Sequence, residues 1–295
     1  MHNTERTGEL FIFSEAFLWA FYPIVSSILV LAFSPVFALA VSTLAAAVFF
    51  GTVVALQKKW HELFIKQAWK YLIPMILLMG ILFYGLLFFS LQYTTPGNVS
   101  IISLMEVFFT MFFLGAVTGI EKLSPVTIVG GILMVIGAFF VIFPGSINPN
   151  PGDILVFVAM IIPPFGNLLT KKVRKYMSAA TLMFARSAVA GLFFLFLSWI
   201  LGDIPNKMLS WGMIGLILLN GSLFLGFSKI LWIEGIHRIQ ISKAISLASI
   251  TPAVTLLFAY IILKQPPTIF QLLGLVPITL GVFLLTRKNI KIATV

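Results

Sequence analysis

The feature that most constrains this chain is the spacing of its apolar runs. Ten of them follow one another: residues 9–32, 36–56, 71–93, 97–118, 125–143, 153–171, 179–201, 211–234, 240–263 and 267–286. About 20 apolar residues suffice to cross a bilayer as a helix. The connections are short and hold Ser34-Pro35, Pro96-Gly97, Ser124-Pro125, Pro144-Gly145, Pro149 to Gly152 and Pro266-Pro267. Charged residues make up 9% of the chain, where a soluble domain carries roughly a quarter. The expected fold is therefore an all-α integral membrane protein of ten transmembrane helices, with no soluble domain.

The net charge of +10 is not a sign of nucleic-acid binding, because the basic residues sit in short clusters between apolar runs. Such clusters set orientation. With the N-terminus in the cytoplasm, the inside receives Arg6, Lys58, Lys59, Lys66, Lys70, Lys122, Lys171, Lys172, Arg174, Lys175, Arg238, Arg287, Lys288 and Lys291. The outside receives Lys207 and Lys264. Both termini are expected to be cytoplasmic, in a bacterial inner membrane. Residues 1–9 hold two acids ahead of a spanning run, which does not fit a cleavable signal peptide. The lack of Cys excludes disulfides, thiolate catalysis and Cys-ligated metals.

The chain also repeats. At a shift of 144, Gly8-Glu9 falls on Gly152-Asp153, Phe21 on Phe165, Ser34 on Ser178, and Gly130 and Gly137 on Gly274 and Gly281. In between, the offset drifts, so that Trp69 meets Trp211 and Met79-Gly80 meets Asn220-Gly221. Two repeats follow, 1–146 and 147–295. Each holds five spans, an odd number, so the halves enter the membrane in opposite directions. Inverted repeats around a midplane site are a recurrent plan of secondary transporters.

Within the spans, Glu106 stands out. An acid at mid-bilayer depth costs about 3 kcal/mol on insertion scales, and Ser103 and Thr110 lie at i−3 and i+4 from it. A carboxyl there suits a proton carrier or an anchor for a substrate ammonium, with a buried helix contact as the alternative. Glu15, Trp19, Tyr22 and Ser26 share one helical face, interrupted by Pro23; the counterpart span six has Pro163-Pro164 and Gly166-Asn167. Prolines free carbonyls that a partner or a wet cavity must satisfy, although a structural kink explains them equally well. Ser242, Ser246 and Ser249 form a hydroxyl stripe suited to helix packing. Gly115 to Gly119 and Gly130 to Gly137 suit helix or dimer contacts. Arg186, Lys229 and Lys243 against Glu15, Glu106 and Glu234 imply internal neutralisation. Asn98 with Ser100 matches a glycosylation acceptor at a membrane edge, without meaning in a bacterial chain.

Ten spans in an inverted repeat with almost no loops resemble the EamA-type branch of the drug/metabolite transporter superfamily. Arg186 in FARSAVAGLFF, Pro252 in SLASITPAVTLLF and Glu121 in TGIEKLSP, followed by Gly130 and Gly137, carry the resemblance. The chain departs from it at Val41-Ser42 in place of the Arg, at Glu106 in place of the Pro, and at Gln265 where Glu121 has its counterpart. The resemblance implies a carrier of small metabolites whose cavity is lined by spans one, three, four, six, eight and nine, with five and ten outside.

Enzyme readings lack apparatus: His2, His61 and His237 fall in loops or tails, and no HExxH motif occurs. No cofactor or metal is expected. The resulting expectation is alternating-access transport of a small polar metabolite, an amino acid or related amine first. Its site residues are Glu106, Glu15, Trp19, Tyr22, Ser103, Asn167, Lys229, Arg186 and Ser246. Protons are the candidate coupling ion, and monomer and homodimer both stand open. The alternatives are a larger anionic or nucleotide-type metabolite held by Arg186 and Lys229, and a membrane scaffold.

Overall fold

The computed structural model describes residues 2–113, 125–145, 149–205 and 210–287. Among these, seven helices are long and apolar enough to span: Thr4–Ala32, Pro35–Leu56, Lys66–Ser90, Pro151–Val173, Ala179–Leu201, Trp211–Arg238 and Lys243–Leu263. Three shorter apolar helices, Pro96–Phe112, Ile128–Ile142 and Ile269–Leu285, complete the ten-helix membrane fold. Span three begins at Lys66 and span eight ends at Arg238, beyond the apolar runs, because long basic side chains carry their charge out to the interface. His237 accordingly lies on a helix, not in a loop, and the helix of span one already begins at His2. Gly115, Gly119, Glu121, Lys122, Lys207 and the tail from Lys288 fall outside the described residues, as does the side chain of Ser242.

The inverted repeat is visible in the helix contacts. Span five packs on span ten through glycines that exchange partners. A Cβ on Gly137 would lie 2.5 Å from the Gly274 carbonyl, and one on Gly281 would lie 2.5 Å from that of Gly130. Each glycine thus faces the repeat-mate of the other, as a two-fold axis requires. Gly130 and Gly137 therefore serve as helix contacts inside the chain, the first of the two readings open to them, and not as dimer contacts. Spans two and seven pair in the same way, and both begin on a serine cap: Phe37 N–H donates to Ser34 Oγ, and Thr181 N–H to Ser178 Oγ.

Irregularity is confined to six spans. Spans one and six break at Ala20–Phe21 and Met160–Ile162, and resume with Pro23 and Pro163 in the first helical turn, where proline's missing N–H costs nothing. Spans four and nine break at Leu104 and at the short 3₁₀ turn Ala248–Ile250. Spans three and eight pass through π-helical segments, Ile76–Phe83 and Leu219–Phe227, a conformation that often marks functional sites. Spans two, five, seven and ten run as single helices.

Candidate functional site

The irregular spans surround a cavity. It offers about 120 Å³ to the centres of water-sized molecules, room for several waters. Spans one, three, four, six, eight and nine all contribute to its wall, and span seven adds Met183 and Arg186. On span six the lining residues Met160, Pro163, Asn167 and Thr170 fall on one helical face. They bring the cavity to the residue before Lys171.

Glu15 and Lys229, 214 positions apart, form a buried ion pair on the wall. The Lys229 ammonium also lies 3.3 Å from the centroid of the Trp19 ring, within the range of cation–π attraction. Trp19 stacks on Tyr22 at 4.0 Å between centroids, across the break in span one. Tyr84 meets both rings edge-on, at 6.3 and 6.1 Å. The Arg186 guanidinium lies 5.2 Å from the Tyr84 centroid, so an aromatic wall has a cation at either end.

Glu106 is half-buried and reaches the cavity from span four. Asn167 Nδ2 donates to its Oε1 at 3.0 Å, and Trp232 Nε1 donates to Asn167 Oδ1 at 3.2 Å. This relay fixes the Asn167 amide, which presents its donor to the acid. Oε2 has no partner among the described residues.

The positions of the expected residues differ in detail. Glu15, Trp19, Tyr22, Ser103, Glu106, Asn167, Arg186 and Lys229 all lie on the wall. Ser246 does not: Ile245, Ala248 and Thr251 line the cavity from span nine, and neither Ser246 nor Ser249 is among the lining residues. Ser26 likewise leaves the face it shares in sequence, donating to Asn220 Oδ1 at 3.3 Å. Ser103 bonds back to the Val99 carbonyl. Ser103 and Glu106 both reach the wall from either side of the break at Leu104, whereas Thr110, one turn beyond Glu106, is buried away from it with an unpartnered hydroxyl. Lys243 pairs with Glu5 and Glu9, and Glu234 with Arg174 and Arg238. Internal neutralisation therefore holds for these and for Glu15–Lys229, but not for Arg186 or Glu106.

Sequence reasoning missed Tyr84 and Trp232. Trp232 stands at i+3 from Lys229, so its place on the same face was readable. It also missed the opposite end of the bundle, where Asp153 is fully buried and accepts from the Thr94 hydroxyl and from Asn98 Nδ2. Gln271 donates to Asn98 Oδ1 at 2.8 Å. Asn98 is thus an internal tie between spans four, six and ten, which accounts for its polarity without glycosylation. Among the described residues, no cluster of His, Cys, Asp or Glu could hold a metal.

The sequence profile of the EamA-like transporter family matches residues 6–143 and again 150–287. The uncharacterized transporter YoaV of Bacillus subtilis is 24% identical over 226 residues, 75% of this chain and 77% of its own. An uncharacterized transporter of Methanothermobacter thermautotrophicus is 29% identical over 65% of this chain and 57% of its own. A protein crystal structure superposes with a TM-score of 0.68 over 97% of this chain and 100% of its own, at 15% identity. That likeness concerns the fold.

Proposed function

The chain belongs to the EamA-like transporter family, and on that premise we propose that the cavity between its repeats binds and carries a small polar metabolite, an amino acid or related amine. The observation that carries the proposal is Glu106. It is a carboxyl group midway along span four that lines the cavity, held at one oxygen by Asn167 and with no hydrogen-bond partner for the other among the described residues. Such a group serves as an anchor for an ammonium or as the carrier of a coupling proton. The cavity's size suits a solute of amino-acid dimensions. The pairing of Lys229 with Glu15 removes one of the two cations that a larger anionic conjugate would need. A scaffold has no use for a lined cavity with an unpaired charge at its wall. The basic residues support an orientation with the Lys171 end and both termini in the cytoplasm, in the cell (plasma) membrane.

The test is uptake into proteoliposomes across a broad metabolite panel, with and without a pH gradient, followed by Glu106→Gln. The variant keeps the volume and should abolish concentrative transport. If Glu106 carries the proton, substrate exchange survives, because exchange needs no net proton movement. If it holds an ammonium, binding itself weakens. Unimpaired concentrative transport by a well-expressed Glu106→Gln protein would end the proposal.

A further inference from the structure

Four charged side chains line the cavity, and their contacts divide them into two kinds. Glu15 and Lys229 neutralise one another. Glu106 and Arg186 have no ion-pair partner among the described residues. Arg186 is 7% exposed, yet its guanidinium makes no hydrogen bond among the described residues and lies against the face of Tyr84. Five N–H donors in a buried group, with no acceptor, call for an anion in the space they face. The stem of Arg186 is seated by Gly80, where a Cβ would lie 3.2 Å from Arg186 Cγ. Glu106, with Oε2 open, calls for a cation. One comes from the first repeat and the other from the second, and together the four charges sum to zero.

We infer that Arg186 and Glu106 make this a site for zwitterions, Arg186 taking the substrate's carboxylate and Glu106 its ammonium. The inference rests on the reading of this cavity as the transport site, and narrows it. An amine would leave Arg186 buried without a partner, and a simple carboxylic acid would leave Glu106 so. A site that must hydrogen-bond a group rejects an analogue lacking it far more strongly than one that merely fits its shape.

The experiment uses the purified full chain in detergent and isothermal titration calorimetry. The probes are the twenty protein amino acids, each compared with its decarboxylated amine and its deaminated acid. Wild type should bind at least one amino acid on the order of tenfold more tightly than either relative. Arg186→Gln leaves Glu106 as the uncompensated charge, so the amine should overtake the amino acid. Glu106→Gln should promote the acid instead. Loss of fold cannot produce this mirror-image exchange. Arg186→Lys retains the charge without the bidentate fork and should keep the ranking at lower affinity; it carries the test should Arg186→Gln not fold. The inference is overturned, with the transport reading intact, if wild type ranks amine equal to amino acid, or if either Arg186 variant binds as wild type does. It is overturned as well if no amino acid binds, and the vesicle assay with other solutes then decides the transport reading separately.

Discussion

Where the second repeat carries Arg186, the first carries Ser42, 144 positions earlier, and the two residues sit at equivalent helix crossings. Arg186 runs past Gly80 of the π-helical segment in span three, and Ser42 runs past Gly221 of the one in span eight. At the first crossing, a charged side chain faces the cavity without an acceptor among the described residues. At the second, Asn220 donates to Ser42 Oγ at 3.1 Å and accepts from Ser26, and all three residues are fully buried. The scaffold is duplicated; the chemistry is not. A closed neutral triad fills one of two equivalent places, so the other can hold charge in a single cavity.

The largest expected effect tests that asymmetry directly. Lys229→Met or Glu15→Gln alone leaves a buried charge uncompensated and should cost about 3 kcal/mol, read as a large drop in thermal stability in detergent. The double variant should regain most of the loss and still not transport. Phe88→Leu, at the counterpart of Lys229 under the offset that pairs Met79-Gly80 with Asn220-Gly221, should cost less than about 1.5 kcal/mol and spare transport. Equal effects in the two halves would break the comparison.

A smaller effect separates the two glycines. A Cβ on Gly221 would press on the Ser42 carbonyl and lie 2.5 Å from Ala45 Cβ, whereas one on Gly80 meets Ala190 Cβ and Arg186 Cγ at 3.2 Å. Gly221→Ala should therefore destabilise by about 1–3 kcal/mol through overpacking. Gly80→Ala should be milder in stability and harder on transport, because what it pushes is Arg186. The check is melting temperature beside uptake for both proteins.

The smallest effect lies at the caps. Ser34→Ala and Ser178→Ala should each cost about 1 kcal/mol, but only the second should depend on pH. Glu62, in the loop between spans two and three, accepts from Ser178 N–H at 2.7 Å. Burial pushes its carboxyl up, but hydrogen bonds from Thr181 and Ser178 outweigh this and hold it below its ordinary 4.5. A lowered carboxyl stabilises the fold above that value, and the contribution fades as pH falls below it. The melting-temperature difference between wild type and Glu62→Gln should shrink from pH 7 to pH 4; a difference that grows would refute the assignment.

Much of this molecule was legible because a bilayer leaves few choices. Apolar length gave the spans, Gly130, Gly137, Gly274 and Gly281 gave the axis, and charges with no business in hydrocarbon pointed to the wall. Serines gave no such direction: Ser103 reaches the wall and Ser26 and Ser246 do not, because a hydroxyl costs little wherever it lies when it can bond to its own helix, as Ser103 does to the Val99 carbonyl. Their spacing therefore says nothing about which face is wet.

The sequence by itself determined the number of crossings, the duplication and the identity of the charged residues. These follow from local quantities, namely hydropathy over a window and the cost of a charge at depth. Only the tertiary structure decided that Lys229 answers Glu15, that Asn167 and Trp232 hold Glu106, and that Arg186 goes unanswered among the described residues. Each of these depends on which helices the fold brings side by side, and on breaks and π-helical turns that rotate a face by a fraction of a turn. A helix's own sequence does not encode that rotation, because it is set by the side chains packed against it from the other repeat.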